Sequence, residues 1–126
     1  MSTTCPTALQ LELCLIETME LIGEVEGKNV VLVDDMVDTA GTLVKAAQLM
    51  KDRGAVSVRA VATHPILSGN AHERIENSAL EELIVTDSIP LKQPSSKIKV
   101  LSCAELFADV MHKVHHNEPI SSKFIM

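Results

Sequence analysis

Aromatic residues are almost absent from this chain of 126 residues, which has no Trp, no Tyr and two Phe. Proteins that hold single-stranded nucleic acid stack its bases on aromatic rings, so this composition argues against that function. Basic residues are also few, because 11 Lys and Arg stand against 17 Asp and Glu and give a net charge of −6 with neutral His. Binding to a nucleic-acid backbone requires clustered Lys and Arg, and we therefore expect no nucleic-acid partner.

Cysteines are few and scattered, at Cys5, Cys14 and Cys103, and none forms a C-x-x-C pair. This spacing predicts free thiols in a reducing, cytoplasmic compartment and argues against a disulfide framework or a zinc site. The N-terminal segment has no basic region, and glutamates such as Glu12 and Glu17 interrupt its apolar residues. We therefore predict neither a secretion signal nor a membrane span.

Hydrophobic residues make up 46% of the chain, which is enough for one folded domain with a core of aliphatic side chains. Apolar runs of strand length alternate with segments of helical period. This alternation is typical of an α/β domain, and we predict a three-layer fold with a mainly parallel sheet. The predicted strands cover residues 29–33, 56–63, 82–86 and 98–101. The first predicted helix has a buried face of Leu43, Ala46, Ala47 and Met50 and ends near Gly54, and further helices are predicted at residues 70–80 and after Ser102.

The sequence predicts a structure for the C-terminal part of the chain but not for residues 1–18. Ser102 is the predicted N-cap of the last helix, with Glu105 completing a capping box and apolar residues recurring every four positions up to Val114. Residues 86–97 are rich in Pro and Ser and are expected to form a surface loop. Residues 1–18 fit a strand and a helix equally well and are left unassigned.

The stretch "VVLVDDMVDTAGTL", residues 30–43, combines a buried strand with an acidic loop. Ligands of parallel α/β sheets bind beyond the carboxyl ends of the strands, which is where Asp34 and Asp35 are expected. From Asp38 the chain turns into a helix, whose first amides and positive dipole end form an anion site. Threonine hydroxyls add donors, and Gly41 would let the backbone approach the ligand closely.

Acids beside an anion site need a separate explanation, because they repel phosphate. The conflict disappears if Asp34 and Asp35 accept hydrogen bonds from sugar hydroxyls or hold Mg²⁺. A phosphorylated sugar would satisfy both halves of the pattern. On spacing alone, an acid pair at a strand end followed by an Asp N-cap without any ligand remains an open alternative.

The same stretch resembles the ribose-5-phosphate signature shared by type I phosphoribosyltransferases and ribose-phosphate pyrophosphokinases (PRPP synthetases). Downstream, "RAVATHPILSGNAHERI", "LEELIVTDSIPL" and "HNEPISSKF" resemble the PRPP synthetases specifically. The resemblance implies a phosphoribosyltransferase-like fold in which Asp34 and Asp35 contact the ribose hydroxyls. The residues that it places around the 5-phosphate are Asp38, Thr39, Ala40, Gly41 and Thr42.

The resemblance begins near Met19 and covers only the end of the second of two similar domains in a longer enzyme. It implies a domain at residues 19–126 preceded by a segment, residues 1–18, that does not resemble the family. The family converts ATP and ribose 5-phosphate to AMP and PRPP with Mg²⁺, in nucleotide biosynthesis. Because the ATP-binding part is missing, the chain is expected to bind ribose 5-phosphate or PRPP, to be inactive alone, and to self-associate through exposed apolar surface.

Two alternatives belong to other classes of protein. A non-catalytic synthetase-like subunit would bind sugar phosphate or regulate complete chains. A receiver domain would also have an acid pair at its first strand, but it requires an Asp at the end of a middle strand, where this sequence has Thr63 and His64. The receiver interpretation is therefore less favoured.

Several remaining residues allow a functional and a structural interpretation. His112, His115 and His116 share a helical face, but a solvated final turn is favoured over a metal site. His64 is more simply a packed or capping residue than a catalytic group. By resemblance to the family's C-terminal segment, which takes part in a regulatory anion site between subunits, the candidate regulatory residues are Ser121, Ser122 and Phe124.

Overall fold

The computed structural model describes residues 23–123. The unassigned N-terminal segment, Cys5, Cys14 and Phe124 lie outside the described residues. Within that range the strands are β1 (Asn29–Val37), β2 (Ser57–Pro65), β3 (Glu82–Thr86) and β4 (Ile98–Leu101). The helices are α1 (Gly41–Asp52), α2 (Ala71–Glu76) and α3 (Ala104–His115), followed by a short 3-10 helix at Ser121–Lys123.

The four strands form one parallel sheet in the order β1-β2-β3-β4, which confirms the α/β prediction. Strand residues alternate between buried and exposed, and the buried set includes Val58, Leu83 and Val85. Right-handed crossovers between successive neighbouring strands place α1 and α2 on the same face of the sheet. The core lies between that face and these helices, and burying one Leu or Val side chain there stabilises the fold by about 2 kcal/mol.

The opposite face of the sheet is largely exposed within the described residues. Val33 pairs with Val61, and Val61 pairs with Ile84, so these side chains form an apolar row across the face. Val33 is 65% exposed and Val61 is 38% exposed. Helix α3 does not bury any of its residues. The described residues therefore supply two of the three predicted layers.

Strand β1 is longer than predicted, because it continues from Val33 to Val37. The register with β2 stays constant over this extension, where Asp34 pairs with Ala62 and Met36 pairs with His64. The acids are compatible with extended backbone, since each carboxylate accepts the amide of the next residue at 2.8 Å. The acid pair therefore lies inside the strand and not beyond its end.

Two helix boundaries also differ from the sequence prediction. Helix α2 ends at Glu76 instead of residue 80, because the amide and hydroxyl of Ser78 bond the carbonyl of Ile75 and close the last turn. Helix α3 has Cys103 as its N-cap, so the predicted capping box of Ser102 and Glu105 is wrong by one position.

Ser102 and an acid from the preceding loop both support the start of α3, since the hydroxyl of Ser102 accepts the amide of Ala104, the first residue of the helix, at 3.2 Å. Asp87 accepts the amide of Cys103 at 2.9 Å and the hydroxyl of Ser102 at 2.5 Å. Helix α1 ends at Asp52, two residues before Gly54, whose φ of 90° suits the left-handed position after a helix. That boundary agrees with the prediction.

Candidate functional site

An open cleft of about 100 Å³ lies where β1 leads into α1. The cleft is lined by Asp34 and by residues 38–42, which are the loop after β1 and the first two residues of α1. Residues 38–42 are called the 38–42 turn below. Met36, Val37 and Leu43 complete the walls of the cleft. Among the predicted substrate-binding residues, those that the structure brings together are Asp34, Asp38, Thr39, Ala40, Gly41 and Thr42. Asp35 does not line the cleft.

The two adjacent acids of β1 lie on opposite faces of the strand, because strand side chains alternate. Asp34 is half-buried and pairs with the buried Ala62, which places it on the face covered by α1. Asp35 is exposed on the other face and is not among the residues that line the cleft. The two carboxylates are therefore not equivalent, although the sequence assigned them one role.

The turn itself depends on a left-handed alanine. Ala40 has φ 61° and is only 4% exposed, and its carbonyl accepts the amide of Val44 at 3.0 Å. The amides of residues 40–43, which precede that bond, have no acceptor within the helix. They are the donors that an anion at this site would use.

Gly41 is predicted to let a ligand approach the backbone closely, and this role stays a prediction. Its φ is not in the left-handed region, since that conformation falls on Ala40. A Cβ at position 41 would lie 3.5 Å from Nη1 of Arg74 and 3.8 Å from Oγ1 of Thr39. These are ordinary van der Waals distances, so the guanidinium of Arg74 lies beside the backbone of Gly41 without requiring glycine there.

The carboxylate of Asp38 is held by the loop that follows β2. It accepts a short hydrogen bond from the hydroxyl of Ser68, and the amide of Ser68 donates to the carbonyl of Asp38 at 3.0 Å. Helix α1 has no side-chain cap at its start. Asp38 therefore does not cap the helix, and its hydrogen bond is directed to the neighbouring loop.

Sequence reasoning missed Ser68 and Arg74. Arg74 donates from Nη1 to the carbonyl of Thr39 at 3.0 Å, so α2 is tied to the 38–42 turn. The only signal that could have found Ser68 is topological, because the loops after adjacent parallel strands lie side by side. The composition of "SGNAHERI" gives no indication that Arg74 reaches a turn 35 residues earlier.

A second polar cluster lies at the same edge of the sheet, beyond β2, β3 and β4. His64 is exposed, and its Nδ1 lies 2.8 Å from the hydroxyl of Ser88, so it is hydrogen-bonded and not packed in the core. The bonds from Cys103 and Ser102 lower the pKa of Asp87 to about 2. The same carboxylate accepts the thiol of Cys103 at 3.0 Å and raises the pKa of that thiol.

The histidines near the C-terminus pack against one another at the end of α3. The rings of His112 and His116 stack with centroids 4.2 Å apart, and His115 meets His116 edge to face. Across residues 23–123, no group of three or more His, Cys, Asp or Glu side chains could hold a metal ion. Ser121 and Ser122 are exposed on the 3-10 helix, and their regulatory role stays a prediction.

Comparison with known proteins identifies the family to which this arrangement belongs. A family model described as the phosphoribosyl synthetase-associated domain matches residues 10–125. The chain belongs to this family. The boundary predicted at residue 18 stays a prediction, since the match begins upstream of it.

The similar proteins are ribose-phosphate pyrophosphokinases. The chain is 58% identical over 109 residues to the one from Wolinella succinogenes and 55% identical over 109 residues to the one from Campylobacter jejuni. Each match covers 86% of this chain and 35% of the relative. The chain thus spans about a third of the length of the curated relatives that it matches.

A solved structure supports the same fold. Phosphoribosylpyrophosphate synthetase from Mycobacterium smegmatis superimposes with a TM-score of 0.75 and 37% sequence identity, covering 77% of this chain and 33% of that one. The family and fold predictions are confirmed, and the receiver-domain alternative is set aside. None of the helices among the described residues is long and apolar enough to cross a membrane.

Proposed function

We propose that this chain binds ribose 5-phosphate or PRPP as the sugar-phosphate part of a ribose-phosphate pyrophosphokinase. The observation that carries the proposal is the cleft at the end of β1, which Asp34 and the residues of the 38–42 turn line together. The amides would bind the 5-phosphate, and Asp34 would accept hydrogen bonds from the ribose hydroxyls. The binding of Asp38 to Ser68 supports this arrangement, because it holds that carboxylate by a bond outside the turn.

The chain alone would not complete the reaction of its relatives. PRPP formation transfers a diphosphoryl group from ATP to the anomeric hydroxyl of ribose 5-phosphate, and catalysis of such transfers depends on positioning and electrostatics. This chain matches only about a third of the length of the relatives. Its contribution would be to orient the acceptor sugar.

Mg²⁺ is part of this proposal only in a restricted form. The described residues offer no cluster of three or more acidic or histidine side chains for a metal, so they do not form a protein cage. Mg²⁺ commonly binds through one or two carboxylates together with substrate phosphates and water. Asp34 and Asp38 both line the cleft, and since Ser68 binds the carboxylate of Asp38, Asp34 is the one that we propose would accept the ion together with its ligand.

The test is titration calorimetry of the chain with ribose 5-phosphate, with and without Mg²⁺, followed by crystals grown with both. We expect saturable binding and phosphate density within hydrogen-bond reach of the Ala40, Gly41 and Thr42 amides. An ordered, accessible turn that remains empty at saturating ligand would refute the proposal. A parallel assay for AMP from ATP and ribose 5-phosphate should show no turnover. Turnover close to that of a complete synthetase would contradict the proposal that the chain alone does not complete the reaction.

A non-catalytic role is the second candidate, and the exposed apolar surface favours it. Phe107, Met111 and Val114 on α3 are 59%, 65% and 58% exposed, and Val33 on the open sheet face is 65% exposed. Apolar patches of this kind drive association. We propose that the chain self-associates through them, so sedimentation should depend on concentration and Met111→Glu should shift the chain toward monomer. A wild-type chain that stays monomeric at high concentration would refute this.

A further inference from the structure

Helix α2 sends one cationic side chain to the turn that starts α1. Arg74 donates from Nη1 to the carbonyl of Thr39 at 3.0 Å. The same nitrogen would lie 3.5 Å from a Cβ placed on Gly41. The guanidinium therefore lies against the backbone of the 38–42 turn, on the side where Gly41 has no side chain.

This position matters because, among the described residues, no Lys or Arg lines the adjoining cleft. Asp34 and Asp38 both line it, and a phosphate bound to the turn would meet their charges at close range. An arginine remains charged at every accessible pH and has five N–H donors in a planar fork. The bond to Thr39 uses one of these donors and holds the charge beside the cleft, although Arg74 is not among the residues that line it.

Resting on the proposed function, we infer that Arg74 is a positioning residue of the phosphate site, which fixes the 38–42 turn through Thr39 and supplies the cation that offsets Asp34 and Asp38. Thr39 carries the carbonyl that the guanidinium holds, and the next residue, Ala40, adopts the left-handed conformation. Fixing that carbonyl orients the amides of the following residues toward the ligand. The charge then acts on the phosphate that those amides bind.

The decisive experiment compares three variants of the whole chain. Arg74→Gln removes the charge and the fork, whereas Arg74→Lys keeps the charge and loses the fork. Arg53→Gln makes the same change of net charge at the far end of α1, roughly 18 Å away by the rise of a twelve-residue helix. Because Arg74 and Arg53 are both exposed, circular dichroism should show unchanged folds.

Charge-assisted hydrogen bonds lead us to expect that Arg74→Gln weakens ribose 5-phosphate binding by about 10-fold to 100-fold in calorimetry. Arg74→Lys should recover part of the loss, and Arg53→Gln should stay within about twofold of wild type. Binding to Arg74→Gln should also depend less on salt, which a purely structural role would not alter. Equal affinity of Arg74→Gln and wild type would overturn the inference while leaving the proposed function intact.

Hydrogen exchange measured without ligand tests the positioning role of Arg74 separately from the proposed function. The amide of Val44 donates to the carbonyl of Ala40 and therefore reports the order of the turn through hydrogen exchange. Arg74→Gln should accelerate its exchange, whereas Arg53→Gln should not. If wild type fails to bind ribose 5-phosphate, the proposed function fails, and unchanged exchange in Arg74→Gln would overturn the positioning role as well.

Discussion

The two adjacent acids of β1 should respond differently to the same substitution. We predict that Asp34→Asn weakens ribose 5-phosphate binding, because Asp34 lines the cleft beside the 38–42 turn. Asp35→Asn should have little effect, because Asp35 lies on the opposite, exposed face of the strand. The two variants carry the same chemical change at neighbouring positions, so each is a matched control for the other.

The expected magnitudes follow from the position of each carboxylate. A hydrogen bond between a carboxylate and a sugar hydroxyl contributes about 1.5 to 3 kcal/mol, so Asp34→Asn should reduce affinity by about 10-fold to 150-fold. Asp35 can act only through solvent, where a charge about 7 Å from phosphate contributes about 0.6 kcal/mol of repulsion. Removing it should tighten binding by less than about threefold.

Titration calorimetry measures both affinities, and circular dichroism confirms that the folds are intact. Asp34 is half-buried and accepts the amide of Asp35 at 2.8 Å, so the free energy of unfolding of the Asp34→Asn variant should also be measured in urea. The asparagine oxygen can still accept that amide. If Asp35→Asn loses as much affinity as Asp34→Asn, the reasoning that the face of the strand decides which acid contributes to binding is refuted.

Three further predictions concern the fold around the site. Ala40→Val should lower the free energy of unfolding by about 2 to 4 kcal/mol in urea, because a branched side chain would enter a left-handed, buried position, whereas Ala40→Gly should stay within about 1 kcal/mol of wild type. His72→Leu should raise that free energy by about 1 kcal/mol, since both ring nitrogens of the buried His72 lack a partner among the described residues, and a loss of stability would contradict this. The hydrogen bond that the Cys103 amide donates to Asp87 should stabilise the fold fully above pH 3.8, the ordinary pKa of the carboxyl, and this stabilisation should be lost as pH falls through about 2. Hydrogen exchange of the Cys103 amide should therefore accelerate near pH 2 in wild type but not in Asp87→Asn.

The parts of the fold that sequence predicted well are those with strong local signals. The bounds of β3 and β4 agree with the prediction, because each is a short run rich in Ile, Leu and Val that is bounded by polar residues, Glu81 and Asp87 around β3 and Lys97 and Ser102 around β4. The extension of β1 to Val37 was missed, because two acids usually mark the end of a buried strand. Pairing with β2 overrides that local preference, and its register reaches Pro65.

The candidate site was predictable only where it is contiguous in the sequence. The 38–42 turn could be located because its strand, acids and helix start follow one another within residues 30–43. Ser68 and Arg74 reach it from the next crossover, 30 and 35 residues away from their partners. No periodicity or motif encodes such a contact, because it depends on how loops after adjacent strands meet.

The proposed binding of phosphate beside three acids would have a geometric explanation in this chain. Strand alternation places Asp35 on the face away from the cleft, and Ser68 binds the carboxylate of Asp38. Asp34 is the acid on the cleft side of β1, where sugar hydroxyls and not phosphate would be its partners. Arg74 then adds a positive charge beside the turn, so a site that is acidic in sequence can be favourable for an anion in three dimensions.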